Sequence, residues 1–354
     1  MNIILFHLDF HLSQAFLFRI NICSGEQKNV TLALMKLGIK YYHWYRVLLS
    51  MVLLLATTIV NSQDQKPKSI LNLTVENDFF FFIDRYYTSG VEISFSNRAI
   101  GKSPVSKVLI PSGNESRDYY SMSISHCMFT PEKTLTPIVV YEDRPYASYF
   151  LVSSKKSSYN SSKNILINSA ISIGMIGAVS GAKDIQNTLH QIIPYASESK
   201  GWHHQIKNDL CLMYNASLEK GLLNLPNLEI IGNINATLGV PHTETSIGSY
   251  MRIGIFTDYF RGFGFDLTDD FNAWFFCSGS VYLVHYNATL QGGTFNQDNH
   301  HTFYEINQTL LHATYGVVVQ YKHFNLEYGF EVRSPEFQNG WWHRWGHIEL
   351  AYAF

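Results

Sequence analysis

The sequence predicts an all-β fold, an antiparallel transmembrane β-barrel of about 12 strands with a short helix in an extracellular loop. Three observations predict it. Apolar and polar residues alternate along one segment after another. Aromatic residues are abundant while charges are scarce. An apolar segment of export type precedes the alternating region. Of the 354 residues, 15% are aromatic and 15% charged, yet mean hydropathy is only -0.05. Alternating faces give such an average because one cancels the other. A helical membrane protein needs runs of about 20 apolar residues, and none follows Gln63. A net charge of -2, with no Lys/Arg run, excludes a nucleic-acid binder.

From the N-terminus, residues 47–60 form an apolar run preceded by Lys36, Lys40 and Arg46, and Ser62 stands just before Gln63. This is the order of a secretory signal, and the run is too short to span comfortably. Residues 1–62 are therefore read as an N-terminal extension and signal peptide, with Met35 as a natural start. Residues 63–354 are read as a single outer-membrane barrel domain. The cysteines, Cys23, Cys127, Cys211 and Cys277, form no C-x-x-C pair. They are expected to be small, mostly buried apolar residues rather than a zinc or redox motif.

The first alternating strand reads LNLTVEND, with Leu71, Leu73, Val75 and Asn77 on one face. Asn77 thus falls on the lipid side near the strand's end, where an amide needs a partner. Val91, Ile93 and Phe95 alternate next. Phe324, Leu326, Tyr328, Phe330 and Val332 do so later, and Ile348, Leu350, Tyr352 and Phe354 close the chain. Aromatics at strand ends (Tyr86, Tyr87, Tyr119, Tyr120, Trp341, Trp342) are expected to form an interfacial girdle. Residues 180–193 break the alternation with helical spacing, and Gln186 and His190, four apart, share a face. A short amphipathic helix within a barrel sequence belongs in a loop, where chemistry is usually placed.

Four polar clusters stand out: Glu76-Asn77-Asp78; Asp84 to Gly90, reading DRYYTSG; Glu142 to Ser148, reading EDRPYAS; and the helix with Gln186 and His190, followed by Gly201-Trp202-His203-His204-Gln205. In this order and spacing they resemble the lipid A 3′-O-deacylase family of outer-membrane enzymes, over residues 77 to 205. The resemblance implies a twelve-stranded barrel that hydrolyses the ester linking the 3′ acyl chain to lipid A. The site would lie between the outer barrel wall and a loop helix, with calcium as cofactor. Carried over, it makes His190 the general base on water and Gln186 its neighbour on the same face. Asn77 and Asp78 would orient the base or help to hold the metal, and Thr88 matches a family hydroxyl. Arg144, beside Asp143, and more weakly Lys133, would contact a lipid A phosphate. Glu198 is the candidate second metal ligand. His203 and His204 depart from the family pattern and read as exposed loop residues, or as ligands of another metal. The implied partners are lipopolysaccharide of the outer leaflet and the membrane itself, for a monomer. The sequence has no G-x-S-x-G elbow, which favours water attack over a serine nucleophile. The alternatives are a non-enzymatic channel or scaffold, or another lipid esterase or acyltransferase.

Overall fold

The computed structural model describes residues 69–81, 83–111, 113, 115–192, 198–262 and 271–354. The signal segment, the Met35 start and Cys23 lie outside the described residues. Residues from Lys66 to Phe354 form one compact unit. Its twelve strands run β1 Ser69–Asn77, β2 Tyr86–Asn97, β3 Arg117–Thr130, β4 Ala147–Asn160, β5 Ile165–Ile176 and β6 Asp209–Leu225, then β7 Leu228–Gly239, β8 His242–Ile255, β9 Asn272–Asn287, β10 Thr309–Tyr321, β11 Phe324–Arg333 and β12 His343–Ala353. Each pairs antiparallel with its neighbours in sequence, and β1 pairs with β12 to close the barrel. The seam is finished by two bonds, Ser69 N to Phe354 O at 3.0 Å and Phe354 N to Ser69 O at 2.9 Å. Closure leaves no strand edge unpaired, which is what a bilayer demands of a sheet.

Alternation decides which side each residue faces. Leu71, Leu73 and Val75, then Val91, Ile93 and Phe95, are exposed on the outer wall. The opposite parity fills the lumen with polar groups, such as the Arg252–Glu229 ion pair at 2.7 Å and His347 bonded to Glu327 at 2.9 Å. Among the described residues no helix is long and apolar enough to cross a membrane. The girdle expectation is met only in part. Trp341 and Trp342 are exposed, whereas Tyr86 is buried against Leu290 and Phe337, and Tyr87 bonds the lumenal Glu76. Parity turns Tyr87 to the lumen beside Glu76, while the loop residues Leu290 and Phe337 cover Tyr86. The three described cysteines are unpaired. Cys211 is buried as expected, but Cys277 shares the outward parity of Phe275 and Val281 and is exposed.

The expected helix is α1, Ala182–Ile192, in the loop between β5 and β6. A 3-10 turn at Ala178–Ser180 leads into it, so it starts two residues later than its apolar spacing suggested. Loops at α1's end of the barrel also include residues 78–85, 131–146, 288–308 and 334–342. Every sequence-selected site residue lies at this end.

Candidate active site on the outer wall

The site begins with one row of register. Asn77 on β1 stands opposite Ser89 on β2, Ser89 opposite Met128 on β3, and Met128 opposite Ser148 on β4. By alternation this row faces away from the lumen, in line with Val75, Val91 and Ile124. Ser89, Met128 and Ser148 are nevertheless buried. The β5–β6 loop covers them. His126 Nε2 lies 3.1 Å from the Ser180 carbonyl. Ser148 Oγ lies 2.5 Å from Ser180 Oγ and donates to Gln205 Oε1 at 3.3 Å. Met128 packs with Ala182, Tyr146 and Trp202. The start of α1 is thereby pinned to the outside of the barrel.

Polar groups collect where helix meets wall. Gln186, 2% exposed, donates from Nε2 to Asp84 Oδ1 at 3.3 Å and accepts at Oε1 from Trp202 Nε1 at 2.7 Å. Both ends of the amide are satisfied, as burial requires. Trp202 can approach because Gly201 carries no side chain: a Cβ there would fall 2.4 Å from the Tyr146 ring. The Trp202 and Tyr146 rings are 4.9 Å apart. His190, one turn beyond Gln186, is half-buried. Burial raises the Asp84 carboxyl above its usual range, and the neighbouring His190 pulls it back down. Asp84 thus bonds Gln186 and feels the charge of His190, although sequence reasoning gave it no role.

Asp78 is 1% exposed, and its Oδ2 accepts from Arg85 N at 2.8 Å. Burial pushes its carboxyl up to about 9, and the charge of Asp84 adds to the rise against the Arg85 amide bond. Asn77 finds the partner its lipid-side position requires in its own backbone, accepting from Phe79 N at 2.7 Å. A β-bulge between Tyr87 and Ser89 frees Thr88 from the ladder, and its hydroxyl meets that of Thr130 at 2.7 Å. Bulges re-aim side chains in this way near functional sites.

The remaining candidates lie apart. Arg144 is fully buried, with Nη1 2.9 Å from Glu336 Oε2, Nη2 donating to Thr289 at 2.9 Å and its guanidinium over the Phe129 ring at 4.5 Å. Phe129 belongs to an interior cluster with Cys211 and Ala288, so Arg144 serves the barrel mouth rather than the outer groove. Lys133 lines a small recess with Arg144, Tyr146, Gly201 and His204. Glu198 is exposed and bonds Asn187 Nδ2 at 3.2 Å, which ties the end of the loop to the helix. The His203 and His204 rings lie 3.9 Å apart, tilted by 47°, with His300 5.0 Å from His204. Among the described residues no group of three or more His, Cys, Asp or Glu gathers as a metal cage. The donors present are oxygens: the Asp78 and Asp84 carboxyls, the Thr88 hydroxyl and the Asn77 amide. The buried Asp78 beside the half-buried Asp84, both with raised affinity for protons, is a donor pair suited to a hard cation.

All four sequence clusters therefore meet: Asp78 from the first is bonded by Arg85 of the second, and Asp84 from the second, Tyr146 and Ser148 from the third, and Gln186, Trp202 and Gln205 from the fourth share one network. Residues 47–354 match the family model described as outer membrane protein LpxR. The chain belongs to the LpxR family. LpxR from Salmonella typhimurium superposes with a TM-score of 0.67 at 19% identity, covering 80% of this chain and 100% of that one. Weaker likenesses include the β domain of the Bordetella autotransporter BrkA (TM-score 0.40, 11% identity, 82% and 99% coverage) and the KdgM porin (0.35, 6%, 80% and 99%). No curated protein matches the sequence. The resemblance to lipid A deacylases read from the sequence motifs is borne out, as are the twelve-stranded barrel and its place in the outer membrane. Sequence reasoning missed Asp84, Trp202, Ser148 and Gln205 as site-forming residues, although each stands inside a cluster it had singled out.

Proposed function

We propose that this LpxR-family chain hydrolyses the ester joining the 3′ acyl chain to lipid A in the outer leaflet, with His190 as general base on water. The observation that carries the reading is the docking of α1 on the lipid-facing wall. That docking supports a site at the lipid-facing wall, where His190 and Asp84 on the half-buried rim adjoin the buried Asp78 and Thr88. In the reaction His190 takes a proton from water as the oxygen attacks the ester carbonyl. The tetrahedral intermediate then expels the sugar 3′ oxygen, which receives the proton from the imidazolium. A free fatty acid and a 3′-hydroxyl result. Asp84 faces His190 and is the group that orients the ring and stabilises its charge. Gln186, locked by Trp202, holds Asp84 in turn. Thr88 stands on the wall as a hydroxyl donor. Calcium is the cation that the family resemblance implies; Asp78 and Asp84 would hold it, assisted by Asn77, and it would supply positive charge for the developing oxyanion.

The test is mass spectrometry of lipid A from cells expressing the wild-type chain and a His190→Ala variant at matched outer-membrane levels. Loss of one acyl-chain mass in the wild type alone supports the assignment. Unmodified lipid A in both, with the barrel folded and calcium supplied, refutes it.

A further inference from the structure

At the opposite end of the barrel, the loop between β2 and β3 does not hang free. It carries two 3-10 turns, Arg98–Lys102 and Pro104–Val108, capped by Asn97 and Ser103. From there it runs across the outside of the barrel. Ile110 N donates to Ser169 Oγ at 3.0 Å, and Tyr214 OH donates to the Val108 carbonyl at 3.0 Å. Ser169 shares the outward parity of Ile171 and Ile173, and Tyr214 that of Leu210 and Leu212, so both contacts lie on the lipid-facing wall of β5 and β6. On β3, Tyr120 has the same outward parity as Met122. A Cβ on Gly101 would come within 2.7 Å of its ring.

The strap hides a charged patch. On this outer wall Lys156 Nζ lies 3.2 Å from Asp118 Oδ2, and Ser158 donates to Asp118 Oδ1 at 2.8 Å. Lys156, Ser158 and Ser169 are buried although their parity points them at lipid. Outward, the strap shows Val105 and Val108, 42% and 55% exposed. The charges in residues 98–116 are Arg98, Lys102, Lys107 and Glu115, and Glu115 pairs with Lys163 at 3.4 Å. The exposed face thus combines apolar contact with a net cationic edge, beside a hydrophobic wall.

We propose that this strap is an interfacial anchor that seats its valines among acyl chains and its Lys102 and Lys107 on anionic phospholipid headgroups of the inner leaflet. The choice of leaflet rests on the reading that α1's end faces outward; the lipid chemistry does not. Basic residues beside an apolar face favour anionic over zwitterionic surfaces. The full barrel is reconstituted in symmetric vesicles of phosphatidylcholine alone, or of phosphatidylcholine with phosphatidylglycerol, and amide exchange is followed by mass spectrometry. Exchange over residues 98–110 is expected to slow by about tenfold when phosphatidylglycerol is present. A Lys102→Glu/Lys107→Glu double variant is expected to lose that difference while its strands stay as protected as in the wild type, which shows that it folds. Equal exchange in the two vesicles, or a difference that survives charge reversal, overturns the proposal and leaves the strap as a cover of the barrel or a seat for a protein.

Discussion

Asp78 offers the sharpest test of how the site stores energy. Its carboxyl is 1% exposed and rises from an ordinary 3.8 to about 9, chiefly through burial. A raised carboxyl is held protonated by the fold. Below pH 3.8 both folded and unfolded chains carry the proton, and the full stability is present. As pH rises towards 9 the unfolded chain ionises first and stability falls by about 1.4 kcal/mol per unit. Between 3.8 and neutral pH this amounts to roughly 4 kcal/mol for the metal-free barrel. Asp78→Asn keeps the shape but cannot ionise, so it should match the wild type at low pH and exceed its stability by about that amount at pH 7. The assay is denaturant unfolding of the metal-free barrel in lipid vesicles, from pH 4 to pH 8, for both proteins. Comparing the two isolates this residue from the other titrating groups. Calcium should close the gap by stabilising only the wild type. Parallel pH profiles for the two proteins would refute the reasoning, and with it the view that Asp78 is a strained, cation-ready acid.

Trp202→Phe removes the donor that Gln186 Oε1 accepts at 2.7 Å. A buried acceptor left unpaired costs about 1–3 kcal/mol, so protease cleavage within the β5–β6 loop should accelerate and deacylation fall while the barrel remains folded. Asp84→Asn keeps the bond to Gln186 within reach but removes the charge facing His190. It should lower kcat with little change in KM, and an unchanged kcat would remove Asp84 from the mechanism. Arg144→Met leaves Glu336 only its longer pair with Arg333 at 3.7 Å and should lower barrel stability by about 1–3 kcal/mol. If Arg144 acts only at the barrel mouth, the lipid A product of whatever folded protein remains will be unaltered.

The strand faces were legible in the sequence because a period of two is local. Leu71, Leu73 and Val75 declare the lipid side of β1 without reference to any other strand, and twelve such segments close only by pairing the first with the last. The helix was legible for the same reason, since its period differs from its surroundings. Gln186 and His190 share a face wherever the helix packs. The role of Asp84 was not legible. Nothing local shows that it meets a glutamine 102 residues away, because that contact depends on how the β5–β6 loop folds back over the wall. Thr88 acquires its place from a bulge, which the pattern of alternation conceals. Arg144 is the reverse case: the Asp-Arg pair looks like a phosphate clamp in sequence, yet Glu336, 192 residues on, takes its guanidinium in the barrel mouth. Composition and alternation by themselves determined the barrel, its outer face and the loop that carries the helix. Only tertiary structure decided which polar residues share the groove, because barrel closure and loop docking bring together residues that no periodicity relates.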